Sequence, residues 1–159
     1  MNAAVHESRL QLVVFQLEER RHALALGSVE RVLAMVAISP LPEAPPIALG
    51  VINVAGAIVP VFDLRARFAF PRRDYGLGAH LVLVRGARRR LALATDQVLG
   101  VIEVAAEGVT TPDTAVPGTR SLAGIAALPD GLLFIHDLDA LLSLEEEQRL
   151  DRALETRAG

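Results

Sequence analysis

The chain has no cysteine among its 159 residues. Structural disulfides, thiolate nucleophiles and zinc-thiolate sites are therefore excluded. It also has no lysine, so arginine carries all the fixed positive charge. Compositional bias, which also enriches alanine, explains this better than selection for bidentate anion contacts. Aromatic residues are scarce, at 4% against 52% hydrophobic residues overall, so a core must be assembled from Val, Leu, Ile and Ala. The net charge of −3 is spread over mixed signs, and no sequence-wide field favours nucleic acid or an anionic membrane. No apolar run reaches the roughly 20 residues of a membrane span. The opening MNAAVHESRL lacks the basic head and apolar core of a signal peptide, and the expectation is a soluble, cytoplasmic protein. The length suits one compact domain or two small lobes sharing a core.

What is present is a series of short apolar strands separated by turns. The most informative stretch is Leu49–Phe68, LGVINVAGAIVPVFDLRARF. Val51 to Ala55 alternates, Gly56 breaks the run and Ile58 to Phe62 resumes it, which predicts a hairpin. Pro60 cannot donate to a ladder, which predicts a sheet edge or a bulge for the second arm. Asp63 occupies an N-cap position before the short helical turn LRARF, with Phe68 and Phe70 returning to the core.

Other segments follow the same logic. Arg9–Leu17 and Ala23–Leu26 form an opening hairpin around the polar turn EERRH. Val29–Val36 fits helix or strand by periodicity, and its β-branched residues favour strand. Pro40, Pro42, Pro45 and Pro46 impose an extended surface crossing. HLVLVR and RLALAT flank GARR in a further hairpin, and VLGVIEV is another strand. LGVINVA at Leu49 recurs as LGVIEVA at Leu99, six identities in seven, which suggests two related lobes. Glu107–Leu122 is a polar loop, and SLAGIAAL and GLLFIHDL are final strands about PDG. Ser143 with Glu146 makes a capping box for a terminal helix whose apolar face is Leu150 with Leu154. The fold class is all-β, of barrel type, with peripheral helices.

Catalytic constellations are hard to assemble. His6 and His22 are expected exposed, at a tail and a turn; His80 begins a strand. His136 with Asp137 offers a metal ligand or a base with its orienting carboxylate, yet adjacent strand residues face opposite ways and no third ligand stands at useful spacing. Asp63, Asp96 and Asp137 each end an apolar strand, where a carboxylate caps a turn. A catalytic dyad would need two of them to meet. No phosphate loop, GxSxG or HExxH occurs. RGARRR at Arg85–Arg90 lacks interleaved aromatics and is a solvated hairpin tip rather than a phosphate site. No catalytic residue, metal or cofactor is assigned. A small metal-binding or enzymatic barrel built on His136 is the remote alternative.

GVINVAG followed by AIVPVFDL resembles the CheW family of chemotaxis coupling proteins. The opening LVVFQL, the ALALGSVERVL segment, PLPEAPP, TDQVLGVIEV and the close through AGIAAL, PDG and DLDALL fall in family order. The resemblance covers Arg9–Leu142. It implies two side-by-side five-stranded SH3-like barrels within one domain over 9–142, a first lobe over about 9–75 and a second over about 79–142, with strand exchange possible between them. A C-terminal helix and tail follow at 143–159. It further implies a non-enzymatic adaptor joining chemoreceptor cytoplasmic tips to the regulatory domain of a CheA-type histidine kinase. Nucleic acid and direct membrane insertion are not implied. By similarity, Asn53, Ala55, Gly56, Ile58 and Val59 face the kinase, and Glu30, Val32, Val98 and Val101 line a receptor groove. Two positions depart from the family: its usual arginine before the hairpin glycine is Ala55, and its usual aromatic in the first hairpin is His22. The Ala55 departure leaves open a specialised regulator that uses one surface to inhibit or recruit another signalling protein.

Overall fold

Period-two alternation becomes eleven strands among the described residues, which in this computed structural model are 8–68, 70–71, 73–111 and 122–158, with backbone alone at 68 and 156–158. β1 (Arg9–Leu17) and β2 (Arg20–Ala25) form the opening hairpin, and a 3-10 turn at Leu26–Ser28 leads into β3 (Val29–Ala34). After the proline-rich crossing come β4 (Ala48–Val54), β5 (Ala57–Asp63) and a 3-10 helix at Leu64–Phe68. β6 (His80–Arg85), β7 (Arg90–Thr95), β8 (Gln97–Ala105) and the two-residue β9 (Val109–Thr110) follow. β10 (Leu122–Leu128) and β11 (Gly131–His136) form the last hairpin, and a 3-10 turn at Leu138–Ala140 precedes α1 (Leu144–Ala158).

The strands make two sheets. The first has the order β8, β1, β2, β11, β10, β9, and the second β3, β6, β7, β5, β4. From β8 in the one and β3 in the other, the pairings run antiparallel, antiparallel, parallel, antiparallel. The two sheets therefore share one plan, with β9 added as a sixth strand where five were expected. The plan equates β4–β5 with β10–β11. The LGV echo thus links strands that are not counterparts, since β8 corresponds to β3. What Leu49 and Leu99 do share is a bulge: each is skipped in its ladder beside a glycine at positive φ, Gly50 at 149° and Gly100 at 140°.

Each half of the chain contributes to both sheets. β3 leaves the β1–β2 hairpin to join the second sheet, and β8 leaves β6–β7 to join the first. A division near residues 75–79 consequently cuts across both sheets.

Pro60 lies in an interior strand, not at an edge. It pairs with Val51, whose N–H and C=O instead bond Ser39 at 2.8 and 2.9 Å. A non-hydrogen-bonded pair points the missing N–H away from β4, and the parallel ladder to β7 begins only at Val61. The proline therefore removes no ladder bond.

The crossing is more than a surface strap, because Leu41 and Ile47 enter the main core with Phe15, Phe62, Val82 and Leu93. Nor is α1 peripheral, since Leu150 and Ala153 are buried in that same core. Its start is the expected capping box: Ser143 Oγ accepts the Glu146 N–H at 3.1 Å, and Glu146 Oε1 accepts the Ser143 N–H at 2.9 Å. Phe70 is half-buried beneath the Arg20 guanidinium, whereas the expectation for the Phe68 side chain lies outside the described residues. Among the described residues no helix is long and apolar enough to cross a membrane.

Candidate functional site

The β4–β5 hairpin closes on Ala55 and Gly56, both at positive φ, 49° and 92°. That combination defines a type I′ turn, whose twist matches the flanking strands. Asn53 Oδ1 accepts the Gly56 N–H at 2.8 Å and fixes the tip. Beyond the turn, alternation sends Ile58 outward, 48% exposed, and Val59 into the core at 1%. Of the residues expected to face the kinase, Val59 is therefore corrected to a core position, while Asn53, Ala55, Gly56 and Ile58 are exposed.

The expected receptor groove falls on β3 and β8, edge strands of different sheets. They meet through His80, which pairs with Ala34 of β3 and whose Nδ1 accepts the Val98 N–H at 3.2 Å. Val32 and Val101 are exposed, 40% and 56%. Val98 is not on that surface; it is half-buried against the main core. Plain alternation is the reason: three residues apart, Val98 and Val101 fall on opposite faces, and Leu99, 46% exposed, shares the Val101 face. Glu30 carries its carboxylate to Arg90 Nε at 3.0 Å and Arg85 Nε at 3.2 Å. Hydrogen bonding from Arg90, ahead of that from Arg85, holds its pKa below the usual carboxylate range.

The arginines of the β6–β7 tip are engaged rather than simply solvated. Arg89 pairs with Glu147 at 2.9 Å and with Asp151, both on α1, while the Ala87 N–H donates to Asp139 Oδ1 at 2.8 Å. Arg85 and Arg90 hold Glu30 of β3. This hairpin thus clamps an edge strand and the terminal helix, and its charge is internally matched.

The histidine expected at an exposed turn is buried. The β1–β2 turn is only two residues, Glu18 and Glu19, so His22 lies within β2, 1% exposed and stacked on Phe15 with ring centroids 5.5 Å apart. Its Nδ1 lies 2.9 Å from Nε2 of His136 on the neighbouring β11. Burial lowers the His22 pKa to about 4 and the His136 pKa to about 3, the second helped by proximity to His22. Two neutral rings sharing one hydrogen-bonded proton form a packing unit, not a base facing a substrate. Asp137 turns elsewhere, accepting the Asp139 N–H at 3.0 Å as a cap. Among the described residues no group of three His, Asp or Glu side chains is placed to hold a metal.

Asp63 and Asp96 both bond Arg65, the first through its backbone and the second through its guanidinium. Arg65 donates its backbone N–H to Asp63 Oδ1 at 3.0 Å and Nη2 to Asp96 Oδ1 at 2.6 Å. The Tyr75 hydroxyl also donates to Asp63 Oδ1, at 2.7 Å, and burial with that partner raises the Tyr75 pKa. Each carboxylate is committed to structural donors of its own, Asp63 to a backbone N–H and a hydroxyl and Asp96 to the guanidinium, which is not the arrangement of a catalytic dyad.

Two exposed aliphatic surfaces thus stand on paired strands, one at Ile58 and one at Val32, Leu99 and Val101. Residues 11–146 match the CheW-like domain family. The chain is 26% identical to the chemotaxis protein CheW of Rhizobium meliloti (strain 1021), over 92% of this chain and 97% of that one. It is 27% identical to the chemotaxis protein CheW of Treponema pallidum (strain Nichols), over 92% and 90% respectively. The crystal structure of the scaffolding protein TtCheW from Thermoanaerobacter tengcongensis superposes with a TM-score of 0.79 at 28% identity, covering 87% of this chain and 96% of that one. The two-sheet plan, the GVIN hairpin and these matches together place the chain in the CheW-like domain family.

Proposed function

We propose that the protein is a chemotaxis coupling adaptor, one that binds the regulatory domain of a CheA-type histidine kinase and the cytoplasmic tip of a chemoreceptor and performs no chemistry itself. The observation that carries this reading is the separation of two apolar surfaces. Ile58 stands out beside a rigid hairpin tip, while Val32, Leu99 and Val101 stand on the edge strands β3 and β8. Exposed aliphatic side chains on paired strands have fixed positions, which lowers the ordering cost of docking. Glu30 is held by Arg85 and Arg90 of the β6–β7 hairpin rather than reaching freely for a partner.

Capture of the purified protein by a kinase regulatory domain and by a receptor cytoplasmic fragment tests both halves. Binding to both is the expected result, and binding to neither overturns the reading. Ile58→Asp places a charge at the centre of the proposed kinase surface and is expected to weaken that affinity about 30-fold or more, with receptor affinity and melting temperature unchanged. Unchanged kinase affinity would show the surface to be elsewhere.

A second reading rests on Ala55. Its methyl group supplies no cation at the hairpin tip, where the family usually carries an arginine, and a protein that uses only the β3 and β8 surface would regulate instead of couple. Capture by the receptor fragment alone selects this reading.

A further inference from the structure

Arg65 is the largest charged side chain in the interior, 1% exposed, and its guanidinium reaches carboxylates outside its own 3-10 helix. It follows β5 directly. Nε donates to Glu18 Oε1 at 2.5 Å in the β1–β2 turn of the first sheet, and Nη2 donates to Asp96 Oδ1 at 2.6 Å. The guanidinium lies over the Tyr75 ring, Cζ to centroid 4.4 Å. Asp96 is the residue at which the chain passes from β7 in the second sheet to β8 in the first. Its other oxygen accepts the Glu18 N–H at 3.1 Å, and its own N–H donates to Gln16 O at 3.0 Å.

This arrangement is stronger than packing needs. Burial alone would lower the Arg65 pKa, but Glu18, Tyr75 and Asp96 outweigh it and raise the value above that of an ordinary arginine. The same contacts hold Glu18 at φ 53°, next to Glu19 at 61°, two successive non-glycine residues in a region L side chains rarely adopt. A planar fork suits the task because it reaches two carboxylates in different directions at once.

Arg65 therefore joins the end of β5, the strand that carries Ile58, to the start of β8, the strand that carries Leu99 and Val101. We propose that Arg65 is the positioning residue that fixes the kinase-facing strand against the receptor-facing strand, so that both surfaces are offered in one arrangement. This rests on the coupling reading above, since the two surfaces are its kinase and receptor sites. Neither docking surface includes Arg65, so its effect is felt when both are occupied together.

Asp96→Asn tests this with little risk to folding, because it keeps an acceptor for the Glu18 N–H and removes only the charge opposite Arg65. Amide hydrogen exchange of the free protein is expected to speed up about tenfold over residues 97–101, with β6 and β7 unchanged. Each partner alone should bind within about twofold of the parent, while the yield of the three-component assembly falls about tenfold. Arg65→Lys keeps the charge but loses the fork, and it should reproduce both effects. Unchanged exchange over residues 97–101 overturns the proposal, as does a loss of single-partner affinity as large as the loss of the assembly. If the parent protein binds neither partner, the coupling reading fails by itself, and the exchange measurement still decides whether Arg65 ties the strands.

Discussion

The β4–β5 and β10–β11 hairpins follow one backbone plan. Each has a glycine at a ladder irregularity in its third position, Gly50 and Gly124, and closes on a two-residue turn, Ala55–Gly56 and Pro129–Asp130. The second residue after each turn is an exposed aliphatic, Ile58 at 48% and Leu132 at 54%. Asp63 closes β5 and Asp137 directly follows β11, and each accepts the N–H two residues on, from Arg65 and from Asp139, both at 3.0 Å. Beneath this shared frame the interiors differ. Phe62 fills the core in one, and its counterpart His136 bonds His22 in the other; Asp63 carries Arg65 and Tyr75, and Asp137 carries only its cap. Backbone-directed residues thus set the hairpin geometry, and what fills the interior decides how each sheet fails.

The bulge glycines give the sharpest separation. A Cβ at Gly50 would overlap the Ser39 carbonyl, and its φ of 149° is strained for any L side chain. Gly50→Ala should cost about 4 kcal/mol, readable as a lowered denaturation midpoint. At Gly124 the first obstacle is a side-chain methyl of Val109 on the two-residue edge strand β9, not a backbone carbonyl, and no positive φ adds strain. Gly124→Ala should cost about 1–2 kcal/mol. Equal costs would show that the two hairpins are held alike after all.

Acid distinguishes the interiors. Both folded-state pKa values in the histidine pair, about 4 and about 3, lie below the usual 6.5. Between those limits the unfolded chain binds more protons than the folded one. The contribution is complete above about pH 6.5 and is lost as pH falls towards the folded values. From about pH 7 to pH 4, denaturant unfolding should show the parent losing on the order of 2–3 kcal/mol more than a His22→Phe, His136→Phe double variant. Parallel pH profiles would remove the pair as the acid-sensitive element of the first sheet.

Much of this organisation is legible in the sequence, and the failures have physical causes. The β6–β7 hairpin lies where HLVLVR and RLALAT put it, because alternation and a central glycine are local signals. His22 does not, since the run EERRH gives no sign that two glutamates accept positive φ and leave the rest of the segment in β2. Tertiary bonds from Arg65 and Asp96 to Glu18 make that turn possible, and they come from far along the chain. Leu99, by contrast, is legible by period two, since it stands two residues from Val101 and shares its face, whereas Val98, three residues away, does not. Strand order is not legible locally at all, because the crossings after β2 and β7 are decided by partners about fifty residues away for β3 and more than about eighty for β8. The docking surface proposed at Ile58 rests on resemblance, and burial removes Val59 from it.

The smallest expected effect falls on the residue that distinguishes the β4–β5 tip. Ala55 holds a φ of 49° without a polar side chain to compensate, whereas the neighbouring Gly56 tolerates its own at no steric cost. Ala55→Gly removes the Cβ penalty but adds backbone freedom to the unfolded chain, so the gain should be only about 0.5–1 kcal/mol, with no change in partner affinity. Ala55→Arg keeps the Cβ and its strain, and melting should stay within about 1 °C of the parent. It restores a guanidinium beside Ile58, where carboxylates on a partner would meet it. Kinase affinity should then rise about threefold to tenfold, and high salt should erase the gain. A stabilising glycine together with a neutral arginine would mean that the tip is shaped by its backbone alone and that its partner makes no use of a cation there.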